Sequence, residues 1–115
     1  MNEKLGVMLD VETTGLGPDS DEIIELAMKL FSYREDTGEI LDIKEEESFL
    51  REPITSSAKK NYSRAFQVHG IPYEAVSGKS FHDVKIKKYF YMAETAFAHN
   101  ASFDRSFLYR MYPEV

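Results

Sequence analysis

Leu5-Gly6-Val7-Met8-Leu9-Asp10-Val11-Glu12-Thr13-Thr14-Gly15-Leu16 is an apolar run that closes on two carboxylates, two hydroxyls and a glycine. Residues 5–11 suit a buried strand, and Glu12-Thr13-Thr14-Gly15 suits the turn that ends it. Side chains alternate across a strand, so Asp10 and Glu12 project to one face while Val11 points to the other. Two carboxylates at that spacing repel unless a cation joins them, and hard oxygen ligands select hard ions such as Mg²⁺ or Mn²⁺. The plainer reading of the pair is a solvated strand end. Thr13, Thr14, Gly15 and Leu16 weigh against it. Together they supply hydroxyls, a flexible glycine and an isolated apolar side chain, which suits a loop gripping a sugar-phosphate end and a stacked base.

Outward from this stretch, residues 23–33 place Ile24, Leu26, Met28 and Leu30 on one face at period two, with Glu25 and Lys29 on the other, and read as a second strand. A polar turn, Arg34 to Gly38, leads into residues 39–50, where Ile40, Leu41, Ile43, Phe49 and Leu50 resume a strand-like pattern. These three elements predict an antiparallel meander. Glu45-Glu46-Glu47 within it reads as a solvated edge or bulge rather than a metal site. After Pro53, the hydroxyls of Thr55-Ser56-Ser57 offer caps for a helix carrying Ala58, Tyr62, Ala65 and Phe66 on one face and ending at His69-Gly70. A second helix is expected over residues 80–92, without one clean apolar stripe. A short buried strand follows over 95–98, then a helix over 101–112 that stops before Pro113. That order predicts one α/β domain with a mixed sheet, spanning residues 1–115.

Composition bounds the function. At 115 residues, 43% hydrophobic, the chain can bury one modest core. A net charge of -6 argues against a broad basic face for polyanions, so if nucleic acid is the substrate, cations must do part of the neutralising. The absence of cysteine excludes disulfides, thiolate metal sites and cysteine nucleophiles. Met1-Asn2-Glu3-Lys4 runs into a stretch too short and too charged for a signal peptide or membrane span, so a soluble, cytoplasmic protein without membrane association is expected. Asn61-Tyr62-Ser63 and Asn100-Ala101-Ser102 match the glycosylation triplet by chance on that reading.

The second informative place is His99-Asn100-Ala101-Ser102-Phe103-Asp104. At about 100° per residue, Phe103, Phe107, Leu108 and Met111 span an arc of roughly 140°, with Asp104 inside it. A carboxylate on an apolar helix face needs compensation. Either a core-edge Arg or Lys pairs with it, or it faces a metal held by the first strand.

Leu9-Asp10-Val11-Glu12-Thr13-Thr14-Gly15-Leu16 resembles the first motif of the DEDD-superfamily 3′-5′ exonucleases, in the DnaQ-like branch typified by the proofreading subunit epsilon of DNA polymerase III. His99-Asn100-Ala101-Ser102-Phe103-Asp104 resembles the second, and Val68-His69-Gly70-Ile71 is similar to a segment the family often places after its first helix. The resemblance covers almost the whole chain. It implies a ribonuclease H-like fold and a two-metal hydrolysis, with Mg²⁺ or Mn²⁺, that releases nucleoside monophosphates from DNA or RNA 3′ ends. On that basis Asp10 would bridge two ions, Glu12 would bind the first and contact the terminal 3′ hydroxyl, and Asp104 would hold the second. Thr13, Thr14, Gly15 and Leu16 would line the terminal nucleotide, with Leu16 wedging against a base. Asn100 and Phe103 would support that pocket, and His69 would be a structural hydrogen-bonding residue. A DNA polymerase or another replication or repair subunit is the partner such a domain implies.

The family's third motif supplies a general-base histidine and a last aspartate on a later helix. After Asp104 only Glu114 remains as a carboxylate, and His82-Asp83 precedes the second motif and reads as a helix-start pair. A C-terminally truncated, incomplete exonuclease-like domain is therefore expected, with impaired activity and with self-association through uncovered apolar surface. The alternative is a non-catalytic remnant that binds nucleic acid or another subunit.

Overall fold

The computed structural model of the chain describes residues 3–113. β1 (Glu3–Thr13), β2 (Ile23–Arg34) and β3 (Ile40–Leu50) are antiparallel neighbours, and β4 (Thr95–Ala98) joins β1 in parallel, giving the order β3-β2-β1-β4. Parallel neighbours need a long crossover. Here it consists of α1 (Ser56–His69), the single turn α2 (Tyr73–Val76) and α3 (Asp83–Met92), while α4 (Ala101–Met111) follows β4. The result is the mixed α/β sheet with flanking helices that the sequence predicts.

Local chemistry sets most boundaries. The β2–β3 turn closes where Gly38 takes φ +78, a left-handed conformation that costs a glycine little, and its N–H donates to Arg34 O at 2.7 Å. Thr55 caps α1 by accepting from the Ala58 amide at 3.2 Å, and Gly70 ends the helix in the left-handed region with its N–H on Phe66 O at 2.9 Å. His69 joins that ending. Its Nδ1 accepts from the Ile71 amide at 2.9 Å, the structural role expected of it, and burial lowers its pKa.

One face of the sheet carries Val7, Leu9, Val11, Leu26, Met28, Leu30 and Phe49, which pack with Phe81, Ile86 and Tyr89 and with Phe107, Leu108 and Tyr112. A satellite cluster of Ile24, Tyr62 and Val76 seats α1 and α2. On the opposite face, Phe31, Tyr33 and Phe97 meet with ring centroids 5.7–5.8 Å apart over Gly6. A Cβ there would lie 2.9 Å from Phe97 and 3.0 Å from Phe31, so the glycine makes room for the aromatic group.

Four details differ from expectation. β1 runs past Val11 because Glu12 and Thr13 still pair with Glu25 and Ile23, so the turn begins later. α2 has no counterpart in the sequence reading, being too short to show a period. α3 starts at Asp83 rather than 80, because the Nδ1 of His82 caps it by accepting from the Lys85 amide at 3.3 Å and Phe81 turns into the core. β4 is not buried: as the sheet's edge it leaves Thr95 and Ala96 exposed. The acidic run 45–47 lies on the other edge strand, with Glu46 and Glu47 paired to Lys29 and Lys85 at 3.3 and 3.1 Å, as a solvated edge should be. No described helix is long and apolar enough to cross a membrane. Glu114 lies outside the described residues.

Candidate functional site

Asp10 and Glu12 share the sheet face opposite Val11, as the alternation requires, with Asp10 exposed and Glu12 half-buried. Leu9 is level with Ala98 in the parallel pair, so the chain leaves β4 beside Asp10 and enters α4 through His99 and Asn100. Asp104 therefore falls in the first turn of α4, close to the end of β1, where the positive end of the helix favours a carboxylate. Asp104 is only 4% exposed, and its Oδ2 is buried without any hydrogen-bond partner. It borders a cleft of about 320 Å³ lined by Leu9, Phe90, Ala98, Leu108 and Tyr112. No described Arg or Lys forms the ion pair that would make it a structural residue.

These carboxylates feel one another. Burial raises the Glu12 carboxyl above the usual carboxylate range, and the charges of Asp10, Glu25 and Asp104 raise it further. Asp104 is likewise raised, by burial first and then by Asp10, with His99 acting in the opposite direction. Glu25 is raised by burial and by Asp10. Glu25 is the member that sequence reasoning missed. Its side of β2 was legible from period two, but only the register places it opposite Glu12.

Among the described residues, no three His, Cys, Asp or Glu side chains are drawn close enough to hold a metal ion. The carboxylates act on each other through charge over longer separations. The donor set still fits a hard divalent cation: its ligands are all oxygen, they repel one another, and Asp104 Oδ2 is unpartnered.

The remaining candidates divide by exposure. Leu16 projects into solvent at 86% exposure, at the tip of the loop that follows β1. Thr14, at 1%, is inside that loop: its hydroxyl donates to Asp21 Oδ1 at 2.9 Å and accepts from the Glu22 amide at 3.1 Å. The Thr13 hydroxyl donates to Gly15 O at 2.6 Å. Asn100 is an exposed N-cap without a side-chain capping bond, and Phe103 packs on Phe107 with ring centroids 5.0 Å apart.

Glu22 anchors the far end of the loop. It pairs with Arg51 at 2.9 Å, and it accepts from the Ile54 and Thr55 amides and the Thr55 hydroxyl. Burial alone would raise its pKa, but these donors hold it below the usual range.

A family model described as an exonuclease, RNase T, matches residues 7–115. No curated protein matches the sequence. Among solved structures, the chain is similar to E. coli exonuclease I in a zinc-bound complex with single-stranded DNA, with a TM-score of 0.69 and 18% identity over 96% of this chain and 23% of that one. It is also similar to E. coli exonuclease I bound to a dT13 oligonucleotide (0.68, 17%, 96% and 24%) and to exonuclease I in complex with SSB-Ct (0.67, 17%, 96% and 24%). These likenesses establish the ribonuclease H-like fold. The chain spans about a quarter of the length of these relatives. None of the comparisons supports the expected impairment of activity.

Proposed function

We propose that this chain, which belongs to the RNase T exonuclease family, is a metal-dependent 3′-5′ exonuclease domain, residues 1–115 forming one exonuclease-like unit. The observation that carries the reading is Asp104: a buried carboxylate with an unpartnered oxygen, coupled by charge to Asp10 and Glu12. A structural residue in that position would have a partner, because leaving a buried charge unpaired costs several kcal/mol.

Asp10, Glu12 and Asp104 would hold Mg²⁺ or Mn²⁺. When bound, a pair of such ions would supply activation of a water and stabilisation of the leaving oxygen in an in-line displacement at phosphorus. The chain's own residues bind and orient. Leu16 presents an apolar surface to the terminal base, the Thr13–Gly15 backbone borders the sugar, and Asn100 and Phe103 close the other side. Cation binding also reconciles a net charge of -6 with an anionic substrate. The complexes of the solved relatives with single-stranded DNA support a single-stranded 3′ end as substrate.

The test is mononucleotide release from single-stranded DNA and RNA labelled at the 3′ or the 5′ end, with Mg²⁺ or Mn²⁺. Early loss of the 3′ label, abolished by Asp10→Ala, is expected. Tight binding of the oligonucleotide with no release under either metal would show a binding module instead.

A further inference from the structure

In the loop that carries Leu16 the buried positions are polar, Thr14 and the carboxylate of Asp21. Asp21 is 8% exposed. Its Oδ1 accepts from the Thr14 hydroxyl at 2.9 Å and from Asn61 Nδ2 of α1 at 3.0 Å. Its Oδ2 accepts from the Gly17 amide at 3.2 Å and lies 3.5 Å from the Ser20 hydroxyl. The Asp21 amide in turn donates to Gly17 O at 2.7 Å. Thr14 and Gly17 flank Gly15 and Leu16 in sequence, so both ends of that dipeptide are tied to one side chain.

Gly15 belongs to the same device. A Cβ built there would lie 2.4 Å from Asp21 Oδ2 and 2.6 Å from its carboxyl carbon, contacts that no real side chain makes. The glycine is required by the close approach of the carboxylate, a demand separate from backbone flexibility. Arg110 of α4 reaches the same loop from outside, through Pro18 O and, at 3.7 Å, Asp19.

We propose that Asp21 is a positioning residue: by tying Thr14, Gly17 and Asn61 together it holds Leu16 out in solvent, where it can stack on a terminal base. The proposal rests on the functional reading given above. Burial would raise the Asp21 carboxyl, yet the donors from Asn61, Thr14, Gly17 and Ser20 keep it below the usual carboxylate range, so it remains an acceptor for all of them at neutral pH. An apolar side chain exposed to 86% gains nothing from folding where it stands; a rigid support is what makes it useful to a ligand.

The chain contains no tryptophan, so Leu16→Trp introduces a single fluorescent reporter at the loop tip. The probe is a dT oligonucleotide with a free 3′ hydroxyl, with Ca²⁺ in place of Mg²⁺. The readouts are quenching on binding, anisotropy of the free chain and melting temperature. Adding Asp21→Asn to the reporter chain should lower the free-chain anisotropy and weaken oligonucleotide binding about tenfold, the worth of one hydrogen bond to a charged group. Gly15→Ala should do the same by displacing the carboxylate, and Asn61→Ala, which removes one donor of several, should have a smaller effect in the same direction. A melting temperature that falls while anisotropy stays unchanged and affinity stays within about twofold would overturn the proposal and leave Asp21 a merely structural residue. If the reporter chain with Asp21 intact is not quenched by any oligonucleotide, the functional reading fails; a fall in anisotropy on Asp21→Asn would still show that Asp21 sets the loop.

Discussion

Asp104→Asn should make the metal-free protein more stable. The side chain is 4% exposed, its Oδ2 has no partner, and burial together with Asp10 raises its carboxyl pKa. A buried polar atom left unsatisfied costs about 1–3 kcal/mol, more when charged; the amide keeps the shape and removes the charge, so a gain of about 1 kcal/mol is expected. In a domain of this size that is a rise of about 4 °C in melting temperature. Mn²⁺ should reverse the order, because an ion at a hundred times its Kd stabilises the wild type by about 2.7 kcal/mol and the variant by less. The pH dependence has a definite sign. A carboxyl whose folded pKa is raised contributes stability that is full below the unfolded value and is lost as pH rises through the folded one. Asp104 and Glu12 are both of this kind. The advantage of the variant should therefore vanish near about pH 4 and grow above it. The assay is urea and thermal unfolding in EDTA and then in Mn²⁺, across that range. A metal-free loss of more than about 3 kcal/mol would refute the reasoning, since a loss of that size is the cost of breaking a buried ion pair.

Asp10→Asn should weaken Mn²⁺ binding in calorimetric titration by at least about tenfold, through loss of a charged oxygen ligand; equal affinity would remove Asp10 from the shared site. Gly6→Ala should destabilise by about 1–3 kcal/mol, because its Cβ would crowd Phe97, Phe31 and Tyr33, and a changed near-ultraviolet circular dichroism of those rings should accompany it. Glu22→Gln should cost about 3 kcal/mol in urea, since it leaves a nearly buried Arg51, 12% exposed, without its counter-charge; a loss below about 0.5 kcal/mol would show that solvent screens the pair.

What could be read beforehand depended on whether the signal was local. Ile24, Leu26, Met28 and Leu30 at period two, the Gly38 turn, the Thr55 cap and the Gly70 stop are each contained within a few residues, and the meander and α1 follow from them. α2 leaves no sequence signal because four residues show no period, and the exposure of β4 is not legible because composition cannot say which strand ends at an edge. In the site, the shared face of Asp10 and Glu12 was a matter of alternation, and the burial of Asp104 a matter of helical arc. Glu25 needed the β1–β2 register. Asp21 was hidden for another reason: in Gly17-Pro18-Asp19-Ser20-Asp21 every polar residue looks solvated, and only the fold brings Asn61 and the Thr14 hydroxyl to one of the two aspartates.

The parallel pairing of β4 with β1 also has a temporal side. Hairpin contacts in β1–β3 close short loops, whereas Leu9 meets Ala98 only after the whole helical crossover has been gathered. Loop-closure entropy places that encounter late in folding. Until it happens, Asp104 is a solvated carboxylate that neither repels Asp10 nor lacks a partner, so the electrostatic penalty arises only once the crossover has closed. A cation that relieves it acts on the closed chain alone and leaves the open hairpin as it was, so the metal rewards completion of the sheet.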